Sequence, residues 1–142
     1  YLKEEKEKLN DSCDVSKIIL ASANKFGPSR SDVVFSLDID KKNTVFRGSD
    51  EMWEAIIDNI LNNFMRYAKS QIKITLKNNK IILYNDGPNI DKDVLNNIFT
   101  PYEKGVRGVF GLGLSIVKKT LGLLNYDINI ENVKNGVKFI IS

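Results

Sequence analysis

Histidine is missing from this 142-residue chain, and cysteine and tryptophan occur once each. Without histidine, Ser-His and Cys-His triads are excluded, and so, with a single Cys, are the usual zinc sites. The solitary Cys13 excludes an internal disulfide framework and fits a reducing, cytosolic setting, in which it reads as a small semi-buried thiol. No apolar run approaches the roughly 18 residues that span a bilayer, and the N-terminus lacks the charged-then-apolar pattern of a signal peptide, so the chain reads as soluble. Neither charge dominates: 21 basic residues stand against 18 acidic ones, a net +3 without a basic block. Such a balance gives no reason to expect a nucleic-acid partner.

What is present is a 42% hydrophobic chain, enough for one good core and the length of one ordinary domain. The chain starts at Tyr1 rather than Met, which together with the missing histidine suggests an excised piece of something larger. Its opening, "YLKEEKEKLN", is charged and helix-prone but poor in apolar positions. Residues 1–12 therefore read as a linker or the end of a helix whose partner is missing, and 13–142 as the domain.

Asp14 is placed to cap a helix through "VSKIILASANKF", which "GPS" stops. "DVVFSLDI" reads as a strand, and the short "TVFRG" is expected to pair back with it. Ser49 or Asp50 caps a helix from about 51 to 68. "SQIKITLKNNKIILYND" alternates on both sides of "KNNK" and reads as a hairpin. A short helix, "DKDVLNNIF", and a second, "LSIVKKTLGLL", precede a closing hairpin that turns at "KNG". Hairpins interleaved with helices predict an α+β fold, with helices covering one face of a mostly antiparallel sheet.

The helix "EMWEAIIDNILNNFMRYAKS" carries one apolar stripe through Trp53, Ile56, Ile57, Ile60, Leu61 and Phe64. On the same wheel Asn63 lies about 40° from Asn59, and Arg66 about 20° to its other side. These three form a polar ridge bordering the stripe, where amide oxygens can meet a hard cation and a guanidinium can meet phosphate. Asparagine supplies 16 of the 142 residues, so a bland, solvated ridge remains the competing reading. "NDGPNI" at 85–90 is an ordinary turn by composition. Its functional alternative sets Asn85 or Asp86 against an adenine amino group, with Gly87 admitting the backbone closely.

The run "EKGVRGVFGLG" places four of the nine glycines within nine residues. Gly111 and Gly113 flank a helix start whose free N–H groups suit phosphate oxygens. With Lys104 and Arg107 and few packing residues, the run reads as a mobile lid bearing cations. Neither a P-loop lysine motif, nor a strand-following GxGxxG, nor the protein-kinase loops are present.

Taken in order, these segments resemble the ATP-binding catalytic domain of bacterial two-component sensor histidine kinases, part of the larger GHKL group that includes gyrase, heat-shock chaperone and mismatch-repair ATPases. "NILNNFMRY" looks like the N box, "NDGPNI" the first glycine box, "IFTPYEKG" the F box, "GLGLSIVKK" the second glycine box and "NGVKFII" the terminal strand motif. The match runs from about 14 to 141. It implies a two-layer α/β sandwich of the Bergerat type, with a mixed, mostly antiparallel sheet.

The resemblance also implies a site for ATP and Mg²⁺. Asn63 would hold Mg²⁺ through its amide oxygen, with Asn59 one turn earlier steering phosphates or metal-bound water. Arg66 stands where the family usually has lysine, and Tyr67 would close the pocket. Asn85, Asp86, Gly87 and Ile90 would meet the nucleotide from the first glycine box, and Gly111, Leu112, Gly113 and Leu114 from the second. Lys104 and Arg107 would reach the terminal phosphate, with Phe99 and Tyr102 anchoring the lid. Relatives that hydrolyse ATP usually carry a glutamate as general base at position 59; Asn59 cannot take a proton. Catalysis would then rest on Asn59, Lys104 and Arg107 positioning the γ-phosphate for a histidine on a separate domain.

Three departures mark this sequence. Asn85 falls where the family has its adenine-binding aspartate, Asn89 replaces the second glycine of that box and is expected to tolerate left-handed backbone, and Asn125-Tyr126 replaces a glycine pair after the helix. The implied partner is the dimerisation and phosphoacceptor domain of the same parent, with a response regulator downstream. Neither nucleic acid nor a membrane is expected to touch this fragment, which would be the cytoplasmic portion of a membrane-anchored sensor. The alternatives are a regulatory nucleotide-binding module of the same fold and an ATP-hydrolysing relative.

Overall fold

Alternating apolar residues in three strands build the wall against which the helices pack. The computed structural model describes residues 9–100 and 111–142. Within them a five-stranded sheet runs in the order β2-β4-β5-β7-β6. Its strands are β2 (Val34–Ile39), β4 (Gln71–Lys77), β5 (Lys80–Asn85), β6 (Ile128–Val133) and β7 (Gly136–Ile141). Ile72, Ile74 and Leu76 of β4, Ile81 and Leu83 of β5, and Val137, Phe139 and Ile141 of β7 are buried on one face. Period two thus supplies a continuous apolar surface. The same period carries Asn85, the last residue of β5, onto the buried face between Ile72 and Val137.

Three long helices cover that face: α1 (Val15–Phe26), α2 (Asp50–Tyr67) and α4 (Gly111–Leu123); α3 (Lys92–Asn96) is a single short turn of helix beside them. Asp14 caps α1 by accepting from Ser16 N, and Ser49 caps α2 by accepting from Met52 N. Asp50 and Glu51 in the first turn of α2 and Arg66 in its last match the helix dipole. The expected stripe of α2 is wholly buried, with Phe64 edge-on to Phe139 at 5.0 Å between ring centres. Leu114, Val117, Leu121 and the following Leu124 fix α4 against the same core.

One pairing differs from expectation. "TVFRG" forms β3 (Val45–Arg47), which does not return to β2 but pairs antiparallel with β1 (Ser12–Asp14) as a separate two-stranded sheet. The reason lies in Phe46, which packs 5.5 Å from the Trp53 ring and 5.6 Å from Tyr126 and so pulls β3 to the helix layer. β2 takes β4 as a parallel neighbour instead, and α2 provides part of the crossover that parallel pairing requires. Asn78 and Asn79 both adopt left-handed backbone in the β4–β5 turn, at φ 54° and 59°, as a tight hairpin demands.

Asn125 ends α4 with φ 62°, the left-handed cap expected of it. The Arg47 guanidinium seals that end, donating to Leu124 O at 2.9 Å while stacking 4.4 Å over the Tyr126 ring. The fold is α+β, with helices on one face of a mixed, mostly antiparallel sheet. Among the described residues no helix is long and apolar enough to cross a membrane.

Candidate functional site

A cleft of about 180 Å³ opens between the C-terminal half of α2 and the segment that follows β5. Asn63 and Tyr67 of α2 form one wall; Asn85, Pro88, Asn89, Ile90, Asp91 and Val94 form the other; Val137 and Phe139 of β7 close the floor. A largely apolar cleft with a few convergent amides suits a flat, polar-edged ligand. The α2 wall arises because the apolar stripe must face the sheet, which leaves Asn63, one step round the helix, at the border.

Asn59 sits one turn before Asn63. Its Nδ2 donates back to Ala55 O at 2.7 Å, a local bond that orients the amide and leaves Oδ1 outward. That oxygen faces the first turn of α4: a Cβ built on Gly113 would stand 3.0 Å from it. The asparagine ridge and the glycine-bearing helix start therefore meet. Among the described residues no group of three or more His, Cys, Asp or Glu could hold a metal ion. A hard cation here would take amide oxygens from Asn59 and Asn63 and the rest of its shell from ligand and water, a donor set that suits Mg²⁺.

The turn after β5 separates two neighbouring polar residues. Asn85, 4% exposed, turns inward and its Oδ1 accepts from Gly87 N at 2.9 Å. Asp86 turns away from the cleft. Its carboxylate accepts from Lys69 N, Ser70 N, Gln71 N and Ser70 Oγ, which ties the α2–β4 connection. Burial would raise its pKa, but the Ser70 hydroxyl and the three backbone N–H groups outweigh that and hold the carboxyl well below the usual range. Gly87 is wedged: a Cβ there would lie 2.3 Å from Tyr67 O, so no side chain fits without moving α2.

Asn89 does not use left-handed backbone; among the described residues, positive φ outside glycine falls at Asn78, Asn79 and Asn125. Its Nδ2 instead bridges Val133 O and Gly136 O, both at 2.9 Å. Asn132 of β6 clamps the same segment, accepting from Ile90 N at 2.8 Å and donating to Ile90 O at 2.9 Å. Asn132, Val137 and Phe139 were not among the sequence candidates. Period two along β7 would have shown the last two facing inward, whereas Asn132 carries no local signal.

Among the described residues, Arg66, Leu114 and Phe99 stand apart from the cleft. Arg66 is exposed on the last turn of α2 and does not line the cavity. The Leu114 side chain is 1% exposed within the core, so only its backbone could face a ligand. Phe99 is half-buried, with Lys118 Nζ 5.5 Å from its ring centre. Gly111 and Leu112 open α4; Tyr102, Lys104 and Arg107 lie outside the described residues.

Residues 48–142 match the family described as histidine kinase-, DNA gyrase B- and HSP90-like ATPase. The chain therefore belongs to that family, in the form that sensor histidine kinases carry as their ATP-binding catalytic domain. It is 38% identical over 118 residues to the sensor histidine kinase CssS of Bacillus subtilis, a match covering 80% of this chain and 26% of that protein. The chain thus spans about a quarter of that relative. The catalytic domain of the histidine kinase ThkA superposes with a TM-score of 0.81 at 23% identity, covering 92% of each chain. The mycobacterial sensor histidine kinase MprB gives 0.80 at 18%, covering 93% of this chain and 95% of that one. At such identities these two speak for the fold alone.

Proposed function

We propose that the chain binds Mg-ATP and passes the γ-phosphate to a histidine on a separate dimerisation and phosphoacceptor domain of the same parent protein, in two-component signalling in the cytoplasm. The observation that carries this reading is the approach of Asn59 Oδ1 to Gly113 beside the cleft, within a chain of the histidine kinase-like ATPase family. The base would lie between Asn85, Ile90 and Phe139, and the phosphates toward Asn59, Asn63 and the first turn of α4, since a helix start favours anions.

Bound Mg²⁺ would neutralise phosphate charge and hold the oxygens in line. Asn59 and Asn63 would orient it through amide oxygens, and the apolar floor would exclude water from the base. Neither amide is a proton acceptor at neutral pH. The reading is therefore of a domain that positions the triphosphate while the acceptor histidine attacks the γ-phosphorus and ADP leaves. Lys104 and Arg107 are proposed to meet the terminal phosphate. Appreciable phosphate release by the isolated chain would instead favour an ATP-hydrolysing relative.

The test pairs the chain with a purified dimerisation domain bearing the acceptor histidine and supplies γ-labelled ATP. Label should appear on that domain and not on this chain. Asn63→Ala should reduce Mg-dependent ATP binding at least tenfold. Unchanged binding in that variant would remove the assigned site, and binding without transfer would favour a regulatory module.

A further inference from the structure

An amide side chain reads a purine by which of its two ends faces the base, and here that choice is fixed from behind. Oxygen and nitrogen of an asparagine amide have the same shape, so only partners decide their placement. The Gly87 N–H, 2.9 Å away, is a donor and admits only the oxygen of Asn85. Turning the side chain over would set its Nδ2 against the Gly87 N–H, two donors facing each other. Asn85 is 4% exposed, and the turn it holds is wedged against the end of α2, where a Cβ on Gly87 would meet Tyr67 O at 2.3 Å and Asn85 Oδ1 at 2.7 Å. Asn85 Nδ2 has no hydrogen-bond partner among the described residues, and Asn85 lines the cleft. A donor is thus the group left for an occupant.

The exocyclic 6-substituent projects farthest from a purine ring. In adenine it is an amino group, a donor; in hypoxanthine and guanine it is a carbonyl oxygen, an acceptor. Facing Nδ2, an amino group leaves two donors opposed and desolvated, whereas a carbonyl completes the bond, and buried sites discriminate strongly on that difference. The ring N1–H of a 6-oxo purine also has a partner in the second lone pair of Oδ1. Adenine would have to shift along the cleft, so that its N1 rather than its amino group met Nδ2.

We infer that Asn85 makes this cleft a reader of an acceptor at the purine 6-position, so that 6-oxo purine nucleoside triphosphates bind at least as tightly as ATP. This rests on the proposed function, since it names the base preference of the same nucleotide site. Inosine triphosphate is the cleanest probe, because it differs from ATP only along that edge. Asn85→Asp is the matching variant. A carboxylate of the same shape still accepts from Gly87 N–H but turns an acceptor toward the cleft.

The experiment is calorimetric titration of both proteins with each triphosphate in the presence of magnesium, with circular dichroism to check that the variant is folded. The wild-type chain should show a Kd for inosine triphosphate equal to or below that for ATP. Asn85→Asp should raise the ratio of the two constants at least tenfold in favour of ATP. A wild-type preference for ATP, or a ratio that a folded Asn85→Asp variant leaves unchanged, overturns the inference and leaves the proposed function standing. Binding of neither triphosphate overturns both.

Discussion

Gly87 shows how little room the site leaves at single positions. A methyl group there would press on the Tyr67 carbonyl at 2.3 Å, inside any van der Waals contact, and neither the helix end nor β5 is free to retreat. Gly87→Ala should therefore destabilise the fold by about 1–3 kcal/mol, the ordinary cost of overpacking. The urea midpoint measures this without any ligand, and an unshifted midpoint would show that the turn is looser than its geometry. From sequence, "NDGPNI" offered Asn85 and Asp86 as equal acceptors one step apart. What separates them is strand period: Ile81, Leu83 and Asn85 share the inner face, so Asp86 must point the other way. That was legible in the alternation of β5. The clamp of Asn132 on Ile90 was not, because it joins residues 42 apart and no local pattern encodes such a contact. Leu114 teaches the converse. Its helical spacing with Val117, Leu121 and Leu124 places it on the core side, and the resemblance alone drew it toward the pocket.

At the level of elements, the helices and both hairpins could be read from caps, periodicity and turn residues, because each of those signals is local. Asp14 and Ser49 cap as their positions suggest, and Asn78-Asn79 makes the turn between β4 and β5. The partner of β3 was hidden because three residues hold too little pattern, and the choice was made by Phe46 finding Trp53 and Tyr126. The link from α2 to β4 was equally hidden, since Asp86 ties it from 15 to 17 residues away. A carboxyl held below its unfolded pKa contributes stability that is present above the ordinary carboxylate value of about 3.9 and is lost as pH falls toward the folded one. Asp86→Asn should thus cost about 1–3 kcal/mol at pH 7, where an ionised acceptor is replaced by a neutral amide. The gap between variant and wild type should begin to close below about pH 4. Urea denaturation at pH 7 and pH 3 measures it, and a gap of equal size at both would mean that the charge is not what ties the connection.

For the whole molecule, the question is whether the small β1–β3 sheet opens by itself or only with the rest. Cys13 is the probe. It is 1% exposed and contiguous with the core of Val15, Ile19 and Trp53. Burial first, then the hydrogen bond and charge of Asp50, push its thiol up to about 12. Since the thiolate is the reactive form, the native chain at pH 8 presents neither access nor nucleophile, and a disulfide reagent must wait for an opening. Two routes exist. If β1 frays from β3 alone, little surface is exposed and the labelling rate hardly responds to urea. If Cys13 is freed only when the α1–α2–sheet core comes apart, the logarithm of the rate rises with urea along the full equilibrium slope, about 1–3 kcal/mol per molar for a domain of this size. Val15 N donates to Thr44 O and Gly48 N to Asp11 O, both bracketing the three-residue ladder, and Phe46 opposite Cys13 is held by two aromatic rings. These contacts couple the small sheet to the main core, so the steep dependence is expected at low reagent concentration. A rate independent of urea below the unfolding midpoint would make β1 and β3 a separately opening flap.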